Sequence, residues 1–305
     1  MTGPFLGLAL SGGTLKAAAH IGVLDGLARL GIRPDVIAGT SAGSIVSTLY
    51  AHGYRTEGFE ALLCNFPGLK LIDYGFPVWS SAVSLVRQRL IGDRQKIPSA
   101  PAGLIRGIKL QRYIERLISS RALQIPLYVV ATDLISGQPV VFSATDTSST
   151  RDGAGMTAIR TTRKDTYEEM TDIPLAVIGS CALPGIFTPI QYGKYLLVDG
   201  AMRHYVPVTV LRSAGCQKVI AVNLYRLSPN YEPTTMIDVL ARSFDILLRE
   251  SIDNDVALGS QVLVLEPDMS RLRWHRFTQM SECVEIGRKL VLDRQSEILR
   301  FLDQG

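Results

Sequence analysis

The sequence predicts an α/β protein with a mostly parallel central sheet. Two short apolar runs, at 5–10 and 36–38, each end in a glycine-bearing turn that a helix-compatible stretch follows. Two strand–turn–helix units within about fifty residues favour parallel strands joined by crossover helices. Apolar runs of strand length continue the pattern further along the chain, at 127–131, 140–142, 195–198, 219–223 and 262–265.

Helix-compatible stretches alternate with these strands. Residues 15–30 follow the first turn and stop at Gly31, and residues 45–51 follow the second turn. Later helix candidates lie between or after the remaining strands, at 109–119, 234–258 and 278–303.

The chain is expected to form one domain over residues 1–305, because no repeat, low-complexity tract or linker divides it. Residues 143–165 are rich in Ser, Thr, Asp and Gly and are interpreted as a loop or an excursion. An irregular insertion is expected at about 65–108, and a helical region over about 234–305.

Composition excludes little, but it favours a cytoplasmic protein without a signal peptide or transmembrane helix. Hydrophobic residues make up 47% and charged residues 20%, and the net charge of +4 does not indicate nucleic acid. Residues 1–10 lack a basic leader region, and the longest charge-free stretch, 173–193, contains three prolines. The four cysteines are widely separated, which indicates neither a disulfide framework nor a zinc site.

The segment Gly39-Thr40-Ser41-Ala42-Gly43 matches the G-x-S-x-G pattern of a nucleophile elbow. Chance alone supplies this pattern in about one chain in five of this composition. Here it follows an apolar strand and opens a helix, where free N–H groups favour developing negative charge. The alternative is a Ser/Gly helix cap, and the motif alone does not separate the two.

A second glycine turn, Ser11-Gly12-Gly13-Thr14, follows the first strand. Parallel α/β folds place their ligand sites at such strand ends, and glycines let backbone N–H groups approach a substrate oxygen. The segment matches neither phosphate-binding pattern, G-x-x-x-x-G-K-[ST] or G-x-G-x-x-G, so a plain tight turn is the alternative. Two glycine turns at neighbouring strand ends favour an active site.

Histidine is a poor candidate for the base of this serine. An α/β-hydrolase needs the order Ser, acid, His, and Ser41 comes too early for that fold's preceding strands. His20 lies within the first helix, where packing or capping is the simpler role. The other three histidines are His52, His204 and His275.

Asp199 is the better candidate for the base. It ends an apolar strand and is followed by Gly200 and Ala201, so its carboxylate is expected to be partly desolvated yet accessible. The two other Asp-Gly pairs fit less well, because Asp25 lies in a helix pattern and Asp152 in a polar loop.

These segments together resemble the patatin-like phospholipase family. The resemblance rests on LALSGGTLKAAAHIGVL, GTSAG, VATDLISGQPVVFS, SCALPGIFTPI and VDGAM, which occur in this order over residues 5–223. It implies a three-layer α/β/α fold, a Ser–Asp dyad without metal or cofactor, and a lipid acyl-ester substrate. Carried over, Ser41 is the nucleophile, Asp199 the base, and the backbone of Gly12, Gly13 and Thr14 the oxyanion hole.

The sequence departs from the family's G-G-G-x-[KR]-G pattern at two positions. Thr14 replaces the third glycine and Ala17 the last. We expect the positive φ that glycine permits to be lost at Thr14, whereas the backbone donors survive. Lys16 occupies the basic position, where it either favours anionic groups or is a solvated helix residue.

Residues 80–112 combine seven cations and one acid with interleaved apolar side chains. Such a segment suits peripheral contact with an anionic membrane surface, and a solvated helix that covers the core is the alternative.

The expected function is a phospholipase A, lysophospholipase or carboxylesterase activity through a covalent acyl-serine. An acyltransferase with the same dyad and a non-catalytic lipid-binding protein are the alternatives. The sequence does not indicate the oligomeric state.

Overall fold

The computed structural model describes residues 5–74, 103–145, 165–225, 261–269 and 277–303, together with scattered positions between 232 and 253. In these residues the strands are β1 Leu6–Leu10, β2 Val36–Thr40, β3 Leu127–Asp133, β4 Pro139–Ala144, β5 Thr166–Glu169, β6 Ile190–Tyr192, β7 Tyr195–Asp199, β8 Lys218–Val222 and β9 Val262–Leu265. The α-helices are α1 Ala18–Arg29, α2 Ala42–Ala51, α3 Thr56–Cys64, α4 Ile108–Ile118, α5 Ile173–Ser180, α6 Val208–Ser213, α7 Met280–Asp293 and α8 Gln295–Asp303.

The strands form one mixed sheet whose centre is parallel. Its main order is β5-β4-β3-β2-β1-β8-β9, and the five strands from β3 to β9 in that order are parallel neighbours. The strands β4 and β7 run antiparallel to β3, and β6 pairs with β7. The mostly parallel sheet predicted from the sequence is therefore confirmed.

Helices cover both faces of this sheet. Alternate residues of one strand point to opposite faces, so Leu8 and Leu10 pack in the core beneath α1, α2, α5 and α7. The intervening Ala9 packs on the other face, against α6 and the segment around Tyr205. Three layers, helix–sheet–helix, result.

The sheet topology brings the ends of β2 and β7 together. Thr40, the last residue of β2, pairs with Val130, and Asp199, the last residue of β7, pairs with the next residue, Ala131. Since β4 already pairs with both of these β3 residues along the other edge, β2 and β7 share one edge and meet there end to end.

Several predicted elements differ from the observed ones. The predicted helix at 15–30 begins as a 3-10 turn, Thr14–Ala17, before α1, and the predicted helix at 278–303 ends at Asp293 and restarts at Gln295. Most of the predicted helix at 234–258, most of the predicted loop at 143–165 and the greater part of the predicted insertion lie outside the described residues. No helix within the described ranges is both long enough and apolar enough to cross a bilayer.

Candidate active site

Ser41 lies in a sharp turn between β2 and α2. Its backbone has φ 53° and ψ −131°, a left-handed conformation that costs a non-glycine residue on the order of 1–3 kcal/mol. The flanking glycines are sterically required: a Cβ on Gly39 would lie 2.6 Å from the Gly43 carbonyl oxygen, and one on Gly43 would lie 2.4 Å from that of Ser11. Ala42 is only partly buried at the start of the helix. The local sequence therefore permits the strained turn that exposes a serine hydroxyl.

The Ser41 hydroxyl donates a hydrogen bond to Asp199, with an Oγ–Oδ2 distance of 2.7 Å. The other carboxylate oxygen of Asp199 accepts the N–H of Ala201 at 2.8 Å. Gly200 leaves no room for a side chain, because its Cβ would lie 2.1 Å from the Val130 carbonyl oxygen. The D-G-A sequence thus positions the carboxylate through one backbone donor and one close backbone approach.

Burial determines the basicity of Asp199, whose exposed fraction is 2%. Loss of water raises the pKa of this carboxyl to about 6, although the hydrogen bonds from the Ala201 N–H and the Ser41 hydroxyl act in the opposite direction. A carboxylate of this kind is ionised at neutral pH and is a stronger base than an exposed aspartate.

The described histidines make other contacts. His20 Nε2 donates to the Ser11 carbonyl oxygen at 2.9 Å, and burial lowers the pKa of this imidazole to about 4. His52 contacts the Thr48 carbonyl within α2, and His204 contacts Asp165 and Thr209. His275 lies outside the described residues. His20 therefore has the packing role predicted from its place in the first helix.

The glycine turn lies directly against Ser41, since a Cβ on Gly12 would lie 3.4 Å from that of Ser41. Within the described part of the chain, no group accepts a hydrogen bond from the N–H of Gly13 or Thr14. The Gly12 N–H instead donates to the Tyr205 carbonyl oxygen at 3.4 Å, and the Tyr205 hydroxyl donates to the Gly12 carbonyl at 2.9 Å.

The expected loss of positive φ at Thr14 is wrong. Thr14 has φ 50°, so threonine adopts the left-handed conformation for which the family pattern uses glycine. Its hydroxyl donates to the Gly13 carbonyl at 2.7 Å, a local bond that helps to hold the turn.

Lys16 is neither a free cation nor a solvated helix residue. Its ammonium donates to the Met269 carbonyl oxygen at 3.2 Å, just beyond β9. Burial is the largest influence on the pKa of this amine and lowers it, against the opposing effects of Cys283 and Asp268. Lys16 thus ties the glycine turn to the segment that follows the edge strand β9, and Ala17 is buried beside it.

Sequence reasoning did not identify Ser180 as a site residue. Its hydroxyl accepts the Ser41 N–H at 2.8 Å and donates to the Val130 carbonyl at 2.6 Å. The segment SCALPGIFTPI, noted above for its family resemblance, begins at this serine. That resemblance was the available signal, but the contact with Ser41 depends on the tertiary fold.

The fold and the site together define a class: a three-layer α/β protein whose strained serine faces a buried carboxylate. The chain matches the family model described as patatin-like phospholipase over residues 8–212. This match covers about two-thirds of the chain, which therefore belongs to the patatin-like phospholipase family. Family membership supports a lipid-hydrolysing kind of function.

The relatives are distant in sequence. An uncharacterised NTE family protein of Mycobacterium tuberculosis is 24% identical over 335 residues, covering 98% of this chain and 48% of that protein. An uncharacterised protein of Bacillus subtilis is 25% identical over 225 residues, covering 70% of this chain and 69% of that protein. The chain spans about half the length of the first of these relatives.

Two solved structures are also similar to the chain. VipD from Legionella pneumophila has 13% identity and a TM-score of 0.46, with 98% of this chain and 67% of that chain covered. Human GIVD cytosolic phospholipase A2 has 11% identity and a TM-score of 0.46, with 98% and 58% covered.

Proposed function

We propose that this protein is a serine acyl hydrolase that cleaves the acyl esters of lipids through a Ser41–Asp199 dyad. The observation that carries the proposal is the 2.7 Å hydrogen bond from the Ser41 hydroxyl to a buried carboxylate. A serine hydroxyl needs an adjacent base to become an effective nucleophile, and Asp199 is the group in hydrogen-bond reach.

The first half-reaction is acylation. Asp199 takes the hydroxyl proton while the Ser41 oxygen attacks the acyl carbonyl, which gives a tetrahedral oxyanion. As this intermediate collapses, the protonated Asp199 donates its proton to the leaving alcohol oxygen, and the acyl group stays on Ser41. A base with a pKa of about 6 suits both proton transfers at neutral pH.

The second half-reaction is deacylation. The regenerated Asp199 carboxylate removes a proton from water, and the resulting hydroxide attacks the acyl-serine carbonyl. The Ser41 oxygen leaves with the proton that Asp199 returns. The carboxylic acid is released, and the resting dyad is restored.

Backbone donors of the glycine turn would stabilise both oxyanions. The N–H groups of Gly13 and Thr14 are the first candidates, because neither has an acceptor among the described residues. The Gly12 N–H joins them only if its long bond to Tyr205 gives way to the stronger charged acceptor. Each such donor contributes about 3 kcal/mol of transition-state stabilisation in comparable sites.

Family membership supports the proposed substrate class, and an exposed surface near α4 supports lipid contact. The Asp73 carboxylate accepts the N–H groups of Gly107 and Ile108, which joins the segment before Tyr74 to the start of this helix. The exposed side chains of this surface include Leu69, Lys70, Tyr74, Leu104, Arg106, Ile108, Lys109 and Arg112. Residues 80–102 of the predicted lipid-contacting segment lie outside the described residues.

Vesicle flotation tests the lipid contact. Lys109→Gln with Arg112→Gln should weaken binding to vesicles that contain phosphatidylserine by about tenfold or more, since each cation contributes roughly 1 kcal/mol at such a surface. Lys289→Gln with Arg300→Gln makes the same charge change at exposed sites on α7 and α8 and should leave binding unchanged. Equal losses in the two double variants would contradict a specific contact at α4.

The hydrolase proposal is tested with a fluorophosphonate probe and a panel of phospholipids, lysophospholipids and p-nitrophenyl esters. We expect covalent labelling on the peptide that contains Ser41 and release of fatty acid, both absent in Ser41→Ala. Labelling elsewhere, or turnover retained in Ser41→Ala, would overturn the proposal. Labelling without release into water, but with transfer to an added alcohol, would identify an acyltransferase instead.

A further inference from the structure

Ser180 connects α5, β2 and β3 at the point where β2 ends. It is the last residue of α5, a helix whose first turn is capped by Asp172 accepting the Leu175 N–H at 2.9 Å. Its hydroxyl is fully buried. Because that hydroxyl donates to the Val130 carbonyl of β3, its lone pairs point to the Ser41 N–H.

The hydroxyl bridges a gap in the sheet. Thr40 pairs with Val130 as the last residue of β2, and Ser41 then leaves the strand in a left-handed conformation. The Ser180 oxygen links the Ser41 N–H to the Val130 carbonyl at 2.8 and 2.6 Å. The strained peptide is therefore anchored to β3, the strand with which Asp199 also pairs as the last residue of β7.

We propose that Ser180 is a positioning residue that holds the strained Ser41 backbone so that the serine hydroxyl points to Asp199. The proposal rests on the function proposed above. It also assigns the Ser41 N–H a structural role, which leaves stabilisation of the oxyanion to the glycine turn.

Removal of this hydroxyl has a defined local consequence. In Ser180→Ala the partly buried Ser41 N–H loses its acceptor, and the left-handed turn loses its anchor to β3. The Ser41 hydroxyl then samples orientations away from Asp199, which lowers kcat more than substrate affinity. Ser180→Thr keeps the hydroxyl and serves as the rescue variant.

Ser47→Ala is the matched control. Ser47 is another fully buried serine near the elbow, and its hydroxyl donates to the Ser44 carbonyl at 3.1 Å within α2. It does not hydrogen-bond Ser41, so its removal reports the general effect of deleting a buried hydroxyl in this region.

Two measurements on the full chain test the proposal. For p-nitrophenyl ester hydrolysis, we expect kcat to fall about 10- to 100-fold in Ser180→Ala with KM within about twofold, partial recovery in Ser180→Thr, and little change in Ser47→Ala. Amide hydrogen exchange at Ser41 should accelerate at least about tenfold in Ser180→Ala and not in Ser47→Ala.

The two readouts separate this proposal from the hydrolase proposal. Unchanged exchange at Ser41 in Ser180→Ala overturns the positioning role whether or not the protein hydrolyses esters. Faster exchange with unchanged kcat overturns it as well. Failure of the wild-type protein to label at Ser41 counts against the hydrolase function, while the exchange result still decides whether Ser180 holds the Ser41 backbone.

Discussion

At the scale of single residues, the site concentrates features that would destabilise an ordinary protein. Ser41 and Thr14 both have positive φ without being glycine, and they lie in the turns that follow the paired strands β2 and β1. Asp199 is a carboxylate buried beside them. Such strained and desolvated groups persist when the surrounding structure holds them, and they are typical of functional sites.

Hydrolysis should depend on pH through Asp199. The base must be ionised, and burial raises its pKa to about 6. We expect kcat/KM to be level above about pH 7 and to fall tenfold per pH unit well below 6. A pH–rate profile with a p-nitrophenyl ester measures this, and a limb centred near the pKa of an exposed aspartate, about 4, would contradict the buried base.

Asp199→Asn should stabilise the fold while it removes activity. The native pKa is raised above the unfolded value of about 4, so the folded state holds the proton more tightly and ionisation costs stability as pH rises from about 4 to 6. At pH 7.5 the neutral amide should add on the order of 1–3 kcal/mol. Thermal unfolding of the wild type and Asp199→Asn at pH 7.5 and pH 4 tests this. The gain in Tm of the variant should be smaller at pH 4. A Tm at pH 7.5 equal to or below that of the wild type would argue against a carboxylate that burial destabilises.

At the scale of elements, α1 and α7 pack with their backbones in close contact. A Cβ on Gly22 would lie 1.9 Å from the Val284 carbonyl oxygen, and one on Gly287 would lie 2.1 Å from that of Ala19. An ion pair between Arg288 and Asp25 lies beside this contact. The helix α1, which follows the glycine turn, is therefore braced by α7 from the C-terminal part of the sequence.

Gly287→Ala should destabilise the protein by about 1–3 kcal/mol or more, because the added methyl meets rigid backbone. Gly58→Ala is the control, since this helical glycine has only the side chain of Tyr54 nearby, at 3.2 Å. The control should be neutral or slightly stabilising through helix propensity. Chemical denaturation measures both variants, and equal unfolding free energies would exclude the tight α1–α7 contact.

Most of the elements near the site could be predicted from local sequence, whereas the strand β5 and the helix α5 could not. Apolar runs ending in glycine turns identified β1 and β2, because a strand buried on both faces is apolar throughout. The short strand β5 carries two glutamates, and the helix α5 contains Pro174 near its start, so neither has a clear pattern. Their positions depend on tertiary pairing with β4 and packing against β3.

At the scale of the whole molecule, the site exists because two distant strands pair with one edge of β3. Ser41 and Asp199 are 158 residues apart in sequence, yet the pairs Thr40–Val130 and Ala131–Asp199 place them side by side. Sequence motifs identified the two residues, since each follows a strand and precedes a glycine or alanine. Their end-to-end arrangement and the anchoring by Ser180 required the structure, because both depend on the register along β3.

The central claim is that Asp199, without a histidine, activates Ser41. Its most direct test compares Asp199→Asn with the wild type in p-nitrophenyl ester hydrolysis and in fluorophosphonate labelling. The asparagine side chain has nearly the same shape as aspartate but cannot accept the proton of the Ser41 hydroxyl. We predict that kcat/KM falls by about 10²–10⁴-fold, with labelling slowed in parallel and the protein still folded. Hydrolysis and labelling within a few-fold of the wild-type rates in this folded variant would contradict the account.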